Sequence, residues 1–391
     1  MAAALDIAPA ITRLENESAF AVLARAQALA RQGKEVINLG IGQPDFKTPE
    51  HIVDAAVKAL RDGQHGYTAT EGILPLREAV AADIRQRRGV EVDPGHILVV
   101  PGGKVTMFFA ILMFGRPGVE IITPNPGFPI YESMIHYTGA EAVPMRLREE
   151  NGFAFSAEEV LRQINDRTRL LIINSPANPT SGVTPKAEMD RLVEGLAAWP
   201  KVAVLSDEIY SRLLYDGRQH VSLLGYESLR DRLIVLDGWS KTYAMTGWRL
   251  GYGVWPASLM EHAVNLAVNS HSCVNAATQF AGIAALNGPQ ESVDIMLRAF
   301  DQRRRVLTAG LNQLPGVTCQ ESAGAFYCFP NITGTGMTSN QLQTRLLEEA
   351  GIATIAGTSF GADGEGYIRF SYANSVEAIE TALARMGDLL R

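Results

Sequence analysis

Five short runs of β-branched and apolar residues, Ile97–Val100, 119–123, 170–173, 202–205 and 233–236, punctuate the middle of the chain. Runs of this length bounded by polar turns predict buried strands. The longer stretches between them, Leu74–Arg88, 157–164 and 187–196, carry helical periodicity, and Ser156 with Glu159 forms a capping-box pattern at the start of one. Strand–helix alternation of this kind predicts an α/β fold with a mainly parallel sheet covered on both faces.

Beyond about residue 290 the pattern changes. A long polar-faced helix over 290–314 precedes strand candidates at 325–329 and 367–372, which reads as a second, smaller unit. Thr338 with Gln341 and Asn374 with Glu377 predict further helix starts, the last leading into a terminal helix ending near Leu390. A helix over 19–32 has no strand of its own to cover and is expected to pack on the C-terminal unit. No 20- to 50-residue repeat is present. A length of 391 residues agrees with two domains.

Composition narrows the function classes. With 47% hydrophobic and 20% charged residues the chain can bury a large core. Its 35 Lys plus Arg against 42 Asp plus Glu leave a formal charge of −7, so no bulk positive field favours a nucleic acid partner. The longest apolar run, 105–114, is roughly half the ~20 residues a bilayer-spanning helix needs. Residues 1–14 lack the basic start and continuous apolar stretch of a secretory signal, and a cytoplasmic protein is expected. The three cysteines, Cys273, Cys319 and Cys328, lack CxxC spacing and read as buried small apolar side chains. The seven histidines show no HxH or HxxxH pairing, so no metal site is expected.

Ligands of parallel α/β sheets gather beyond the carboxyl ends of the strands, and the chemically suggestive residues fall there. Lys241 follows the run 233–236 amid Trp239, Tyr243, Met245 and Trp248. Partial desolvation there would lower the pKa of its amine and suit it to imine formation with a carbonyl. Asp207 ends another run; a buried carboxylate keeps a neighbouring pyridine nitrogen protonated, and a protonated ring accepts carbanion electrons. Asn178 and Tyr210 can donate hydrogen bonds to a phenolate oxygen on such a ring. Gly102, Gly103 and Lys104 join a strand to a helix and form an anion cup, to which Ser240 adds a hydroxyl and Arg249 a two-pronged donor.

The ordered motifs Asn178-Pro179-Thr180, Asp207-Glu208-Ile209-Tyr210 and Ser240-Lys241-Thr242-Tyr243 running to Arg249 closely resemble pyridoxal-phosphate-dependent aminotransferases of fold type I. Within these the chain is most similar to the class I/II group around bacterial aspartate aminotransferases. The resemblance runs from Asn38 to Tyr372. It implies a large domain with a mainly parallel seven-stranded sheet flanked by helices, plus a smaller α+β domain. The implied division is an arm and helix over 1–47, a cofactor-binding domain over 48–289 and a small domain over 290–391.

By the same resemblance, Lys241 carries pyridoxal 5′-phosphate as an imine and Asp207 pairs with its ring nitrogen. Asn178 and Tyr210 bind the ring hydroxyl, and Gly103, Lys104, Ser240 and Arg249 hold the phosphate. Phe128 stacks on the ring. Tyr67 reaches the phosphate in a neighbouring subunit's site, which implies a homodimer with shared active sites. Arg369 clamps the substrate α-carboxylate beside Gly42 and Asn178. The implied reaction is ping-pong transfer of an amino group from an L-amino acid to a 2-oxo acid.

Side-chain preference divides. Lys104 facing a distal carboxylate favours aspartate or glutamate. Glu15 and Glu17, near the substrate entrance in this family, oppose a dicarboxylate and keep aromatic or kynurenine-like donors open. Carbon–sulfur lyases and ring-forming synthases share the fold and cofactor residues. A ligand-sensing regulator lacks room here for a DNA-binding segment before the first helix. Arg303, Arg304 and Arg305 read as the solvated face of the long helix, and Gly247 and Gly251 as turn residues.

Overall fold

The computed structural model describes residues 5–15 and 18–391. Its central element is a seven-stranded sheet in the order Ile97–Val100, Gly251–Val254, Leu233–Gly238, Ala203–Asp207, Thr168–Asn174, Glu120–Asn125, Glu141–Arg146. Only Gly251–Val254 runs antiparallel to its neighbours. All five runs read from the sequence are strands of this sheet.

Alternation along each run feeds two cores. Ile97, Val99, Leu171 and Ile173 enter one apolar cluster, and Leu98, Val100, Leu170 and Ile172 enter another on the opposite face. Period-two side chains with both faces apolar explain why these runs are continuous. The helix Lys104–Phe114, apolar nearly all round, and helix Pro129–Thr138 pack on the second face. The helix Leu74–Arg88 starts on Pro75 and stops at Gly89, whose φ of 66° closes the helix in a left-handed cap.

A third cluster, with Leu39, Phe300, Phe326, Tyr327 and Tyr372, surrounds a three-stranded sheet of Ile355–Ala356, Ile368–Ser371 and Tyr327–Cys328. Ile37–Asn38 pairs in parallel with Ile352–Ala353. The helix Ser18–Arg31 sets Ala26 and Leu29 against Leu347 and Ala353, and Arg25 Nε lies 2.7 Å from Glu348.

Several sequence readings need correction. The long helix is Glu291–Leu311, and of the three arginines only Arg305 keeps to a solvated face. Arg304 is fully buried against the Tyr215 ring, paired with Asp301 and Asp216, and Arg303 reaches Asp45 at 2.7 Å. Neighbouring acidic groups thus draw two of the three inward. The terminal helix is capped by Ser375, which accepts from Ala378 N, in place of Asn374. Thr338 and Gln341 do form a full capping box; Ser156 caps its helix by accepting from Glu159 N, but the Glu159 carboxylate goes to Arg148 at 2.7 Å instead of closing the box. Cys273 is half-buried, unlike Cys319 and Cys328. Gly251 lies inside a strand where a Cβ would collide with Gly103, so close approach of two backbones, not a turn, requires it. No helix among the described residues is long and apolar enough to cross a membrane.

Candidate active site

A cavity of about 450 Å³ opens at the carboxyl ends of the central strands and gathers Gly42, Gly103, Lys104, Phe128, Asn178, Asp207, Tyr210, Ser240, Lys241, Arg249 and Arg369. Of the residues assigned to cofactor or substrate in the sequence, Tyr67 stands apart. It is 94% exposed in the single chain.

The floor of the cavity is the end of strand Ala203–Asp207. Asp207 is buried, and Tyr131 donates its hydroxyl to Oδ2 at 2.7 Å while Ile209 N donates to Oδ1 at 3.1 Å. Among the described residues no cation pairs with it. Burial pushes its carboxyl up to about 6, against the two hydrogen bonds that favour the anion, with Asp237 and Glu208 adding to the rise. Burial also pushes the Tyr131 phenol well above its ordinary value, so it remains a donor.

The neighbouring strand Thr168–Asn174 delivers Asn174, which accepts from Asn178 N at 2.9 Å and donates to the Asp207 carbonyl at 3.1 Å. Asn178 in turn accepts from Arg369 Nη1 at 2.8 Å. Arg369 Nη2 donates to the Gly40 carbonyl at 2.5 Å, and its guanidinium lies between the rings of Tyr327 and Phe360, 4.6 and 4.7 Å from their centroids. A planar cation held edge-on by acceptors and face-on by rings has one fixed orientation.

Tyr327 also shares a 2.8 Å hydroxyl contact with Tyr210 and packs so closely on Gly42 that a Cβ there would overlap its hydroxyl. Burial raises the Tyr210 phenol well above its ordinary value. Lys241 Nζ donates to the Gly42 carbonyl at 2.5 Å and stands over the Phe326 ring. The backbone at Gly42 therefore touches both the lysine and the tyrosine.

The opposite end of the cavity is cationic. It is built on the first turn of helix Lys104–Phe114, where Val105 N and Thr106 N donate back to the Gly102 and Gly103 carbonyls at 3.1 and 3.0 Å and the positive end of the helix faces the cavity. Arg249 crosses it with Nη1 on the Thr246 carbonyl at 2.8 Å, and a Cβ on Gly102, whose φ is 91°, would strike its guanidinium. No described carboxylate lies within ion-pair reach of Arg249. Phe128 flanks the cavity edge-on to Tyr131 at 5.6 Å, with Lys104 Nζ 5.1 Å above its ring.

The sequence reading missed Tyr131 and Tyr327. Tyr131 sits three residues after Phe128 in the first turn of helix Pro129–Thr138, a spacing that could have flagged it. Tyr327 is hidden in an apolar strand run. Gly247 lines the cavity with open space beside it. Glu15 is not among the lining residues; its carboxylate lies 3.6 Å from His136 Nδ1, and its expected repulsion of a dicarboxylate loses its basis. Glu17 lies outside the described residues. Ala19 and Phe20 of the N-terminal helix border the cavity instead.

A buried carboxylate that no described cation pairs with, a cationic anion cup and a lysine, all lining one cavity, define a site for a phosphorylated, ring-protonated cofactor. Residues 34–386 match the family model for aminotransferase class I and II. Aspartate aminotransferase of Geobacillus stearothermophilus is 36% identical over 98% of both chains. Aromatic-amino-acid aminotransferase 2 of Thermococcus litoralis is 35% identical over 93% of this chain and 94% of its own. The structure of aspartate aminotransferase from Thermus thermophilus with maleate superposes with a TM-score of 0.94 and 33% identity, covering 99% of this chain and 100% of that one. The chain belongs to the class I and II aminotransferases. It is an enzyme that transfers amino groups and uses pyridoxal 5′-phosphate. The charge pattern of the cavity fits that cofactor at both ends.

Proposed function

We propose that the enzyme exchanges an amino group between an acidic L-amino acid, aspartate or glutamate, and a 2-oxo acid in a ping-pong reaction. The observation that carries this is the presence of two cationic side chains, Arg369 and Lys104, in one cavity, matching the two carboxylates of such a substrate. The naming of the Geobacillus relative for aspartate and the description of the Thermus structure with a dicarboxylate support it.

When bound, pyridoxal phosphate supplies a cationic ring that takes up the electron pair left on the substrate Cα. Lys241 would be its point of attachment and, once displaced, the base whose Nζ would take the Cα proton and deliver it to the cofactor's C4′ carbon. Asp207, fixed by Tyr131, keeps the ring nitrogen protonated. Asn178 and Tyr210 donate to the ring hydroxyl. Gly103, the backbone N–H of Lys104, Ser240 and Arg249 would hold the phosphate end, with Phe128 against the ring face. Arg369, held by Asn178 and the Gly40 carbonyl, binds the α-carboxylate beside Gly42 in both half-reactions.

The same proposal includes a homodimer in which Tyr67, bare in one chain, completes the partner's phosphate site. It also includes the division at 47/48 and 289/290 and a cytoplasmic location, where free thiols such as Cys273 persist. Aromatic donors are the second reading, favoured by Phe20 and Ile41 on the cavity wall and by the Thermococcus relative.

The test is anaerobic titration of the holoenzyme with single amino acids. Stoichiometric conversion of the cofactor to its amine form by aspartate or glutamate supports the proposal. Conversion by phenylalanine alone transfers it to the second reading. Elimination products without conversion would mark a lyase.

A further inference from the structure

Asp207 and Lys241 arrive on neighbouring strands whose last ladder pair is Asp207 with Leu236; Glu208 N then donates to the Leu236 carbonyl at 2.8 Å. Beyond that point the two chains part, one toward Tyr210 and the other toward the short helix Trp239–Thr242 that carries Lys241. Adjacent strand residues face opposite ways. Asp207 faces Tyr131, and Glu208 turns behind the sheet.

Behind the sheet stands Arg88, the final residue of helix Leu74–Arg88, its side chain 9% exposed. Its Nη1 is 3.0 Å from Glu208 Oε2, and its Nη2 pairs with Asp237 Oδ2. One planar guanidinium thus bridges the first residues beyond the shared ladder. Both carboxylates are further fixed: Glu208 by Ser206, Ser222, Leu223 N and His220, Asp237 by Ser211 and Gly238 N.

We propose that Arg88 is a positioning residue of the transamination site, a clamp that sets the spacing between the Asp207 carboxylate and the Lys241 amine and cancels the two carboxylates buried behind Asp207. The proposal rests on the reading that Asp207 and Lys241 hold the cofactor.

Charge bookkeeping agrees with the geometry. Burial pushes the Glu208 carboxyl up, but Arg88 and His220 outweigh it and hold it at about 2. Burial raises Asp237 and Arg88 lowers it. Glu208 and Asp237 both push Asp207 upward, so an uncompensated pair would oppose its ionisation. The remaining ionisable groups facing this cluster are His220 on Glu208, Tyr252 beside Asp237, and Asp83 and Arg87 on the helix of Arg88. A buried ion triad is a poor source of stability compared with apolar packing. Fixed geometry is what it supplies.

The test uses holoenzyme and two variants. Arg88→Met removes the cation the two carboxylates share and leaves Glu208 with His220 and both with their neutral donors. The triple variant Arg88→Met/Glu208→Gln/Asp237→Asn removes all three charges, and folds even where the single variant does not. Measured quantities are the pH midpoint of the visible band of lysine-bound cofactor, the cofactor dissociation constant and the Tm. In Arg88→Met the midpoint rises by about one pH unit, from added negative charge and a slackened Asp207. In the triple variant the Tm returns close to wild type while cofactor binding stays about tenfold weaker, equivalent to the loss of one well-placed polar contact. A triple variant with wild-type midpoint and cofactor affinity overturns the clamp. A wild-type enzyme lacking any Lys241-dependent visible band overturns the underlying reading instead.

Discussion

Tyr131 donates a 2.7 Å hydrogen bond to Asp207 Oδ2, and both side chains are buried at the end of the central sheet. The tyrosine is the one side chain that donates to this carboxylate among the described residues. It offsets part of the burial cost that pushes Asp207 up.

Removing that donor should cost activity without costing the fold. Tyr131→Phe is expected to lower kcat about tenfold or more, the scale of a lost hydrogen bond to a charged group. Steady-state kinetics with thermal melting checks it. A kcat equal to wild type would show that Asp207 needs no such support.

The apoprotein should record the cost of Asp207 in its pH stability. The folded carboxyl holds its proton to about pH 6, whereas the unfolded one releases it near its ordinary value of 3.8. Between those limits the folded state binds more protons, so stability falls as pH rises, and the cost is fully present above about 6. Asp207→Asn, which still accepts from Tyr131, should therefore stabilise the apoprotein by roughly 2–3 kcal/mol at pH 8 and by little at pH 4. Denaturant unfolding at the two pH values measures the difference.

Arg369 is oriented by Asn178, the Gly40 carbonyl and two rings. Arg369→Lys keeps the charge but loses the planar fork, so KM should rise about 100-fold for donor and acceptor alike. Equal KM values in variant and wild type would place the α-carboxylate elsewhere.

Lys104 separates the two substrate readings. Lys104→Met should raise KM for aspartate about tenfold and leave phenylalanine nearly unchanged, since only the first carries a distal carboxylate. Parallel losses for both donors would assign Lys104 to the phosphate alone.

Subunit mixing tests Tyr67. Inactive Lys241→Ala and weakened Tyr67→Phe chains, unfolded and refolded together, should form hybrid dimers with one native site. Activity should exceed the sum of the separately refolded variants. Simple additivity would mean that each chain completes its own site.

The parallel sheet is legible in the sequence because strands buried on both faces must be apolar throughout, and the cavity is legible because its polar residues interrupt those runs at their carboxyl ends. Contacts between distant segments are not. Nothing near Arg304 in sequence announces Asp216, and nothing near Arg88 announces Glu208 and Asp237, since these pairs exist only once helices and strand ends have packed. Tyr327 looks like any core aromatic until Gly42, Tyr210 and Arg369 close around it. Glu15 misleads for the converse reason: its segment lies near the site, yet its carboxylate turns to His136.

The account stands on Lys241 as the residue that bears the cofactor. Borohydride reduction of the reconstituted enzyme, followed by proteolysis and mass spectrometry, tests this directly. The predicted result is one reduced pyridoxal phosphate adduct per chain on the peptide containing Lys241, absent from Lys241→Ala. An adduct on another lysine, or none on a protein that still transaminates, would contradict it.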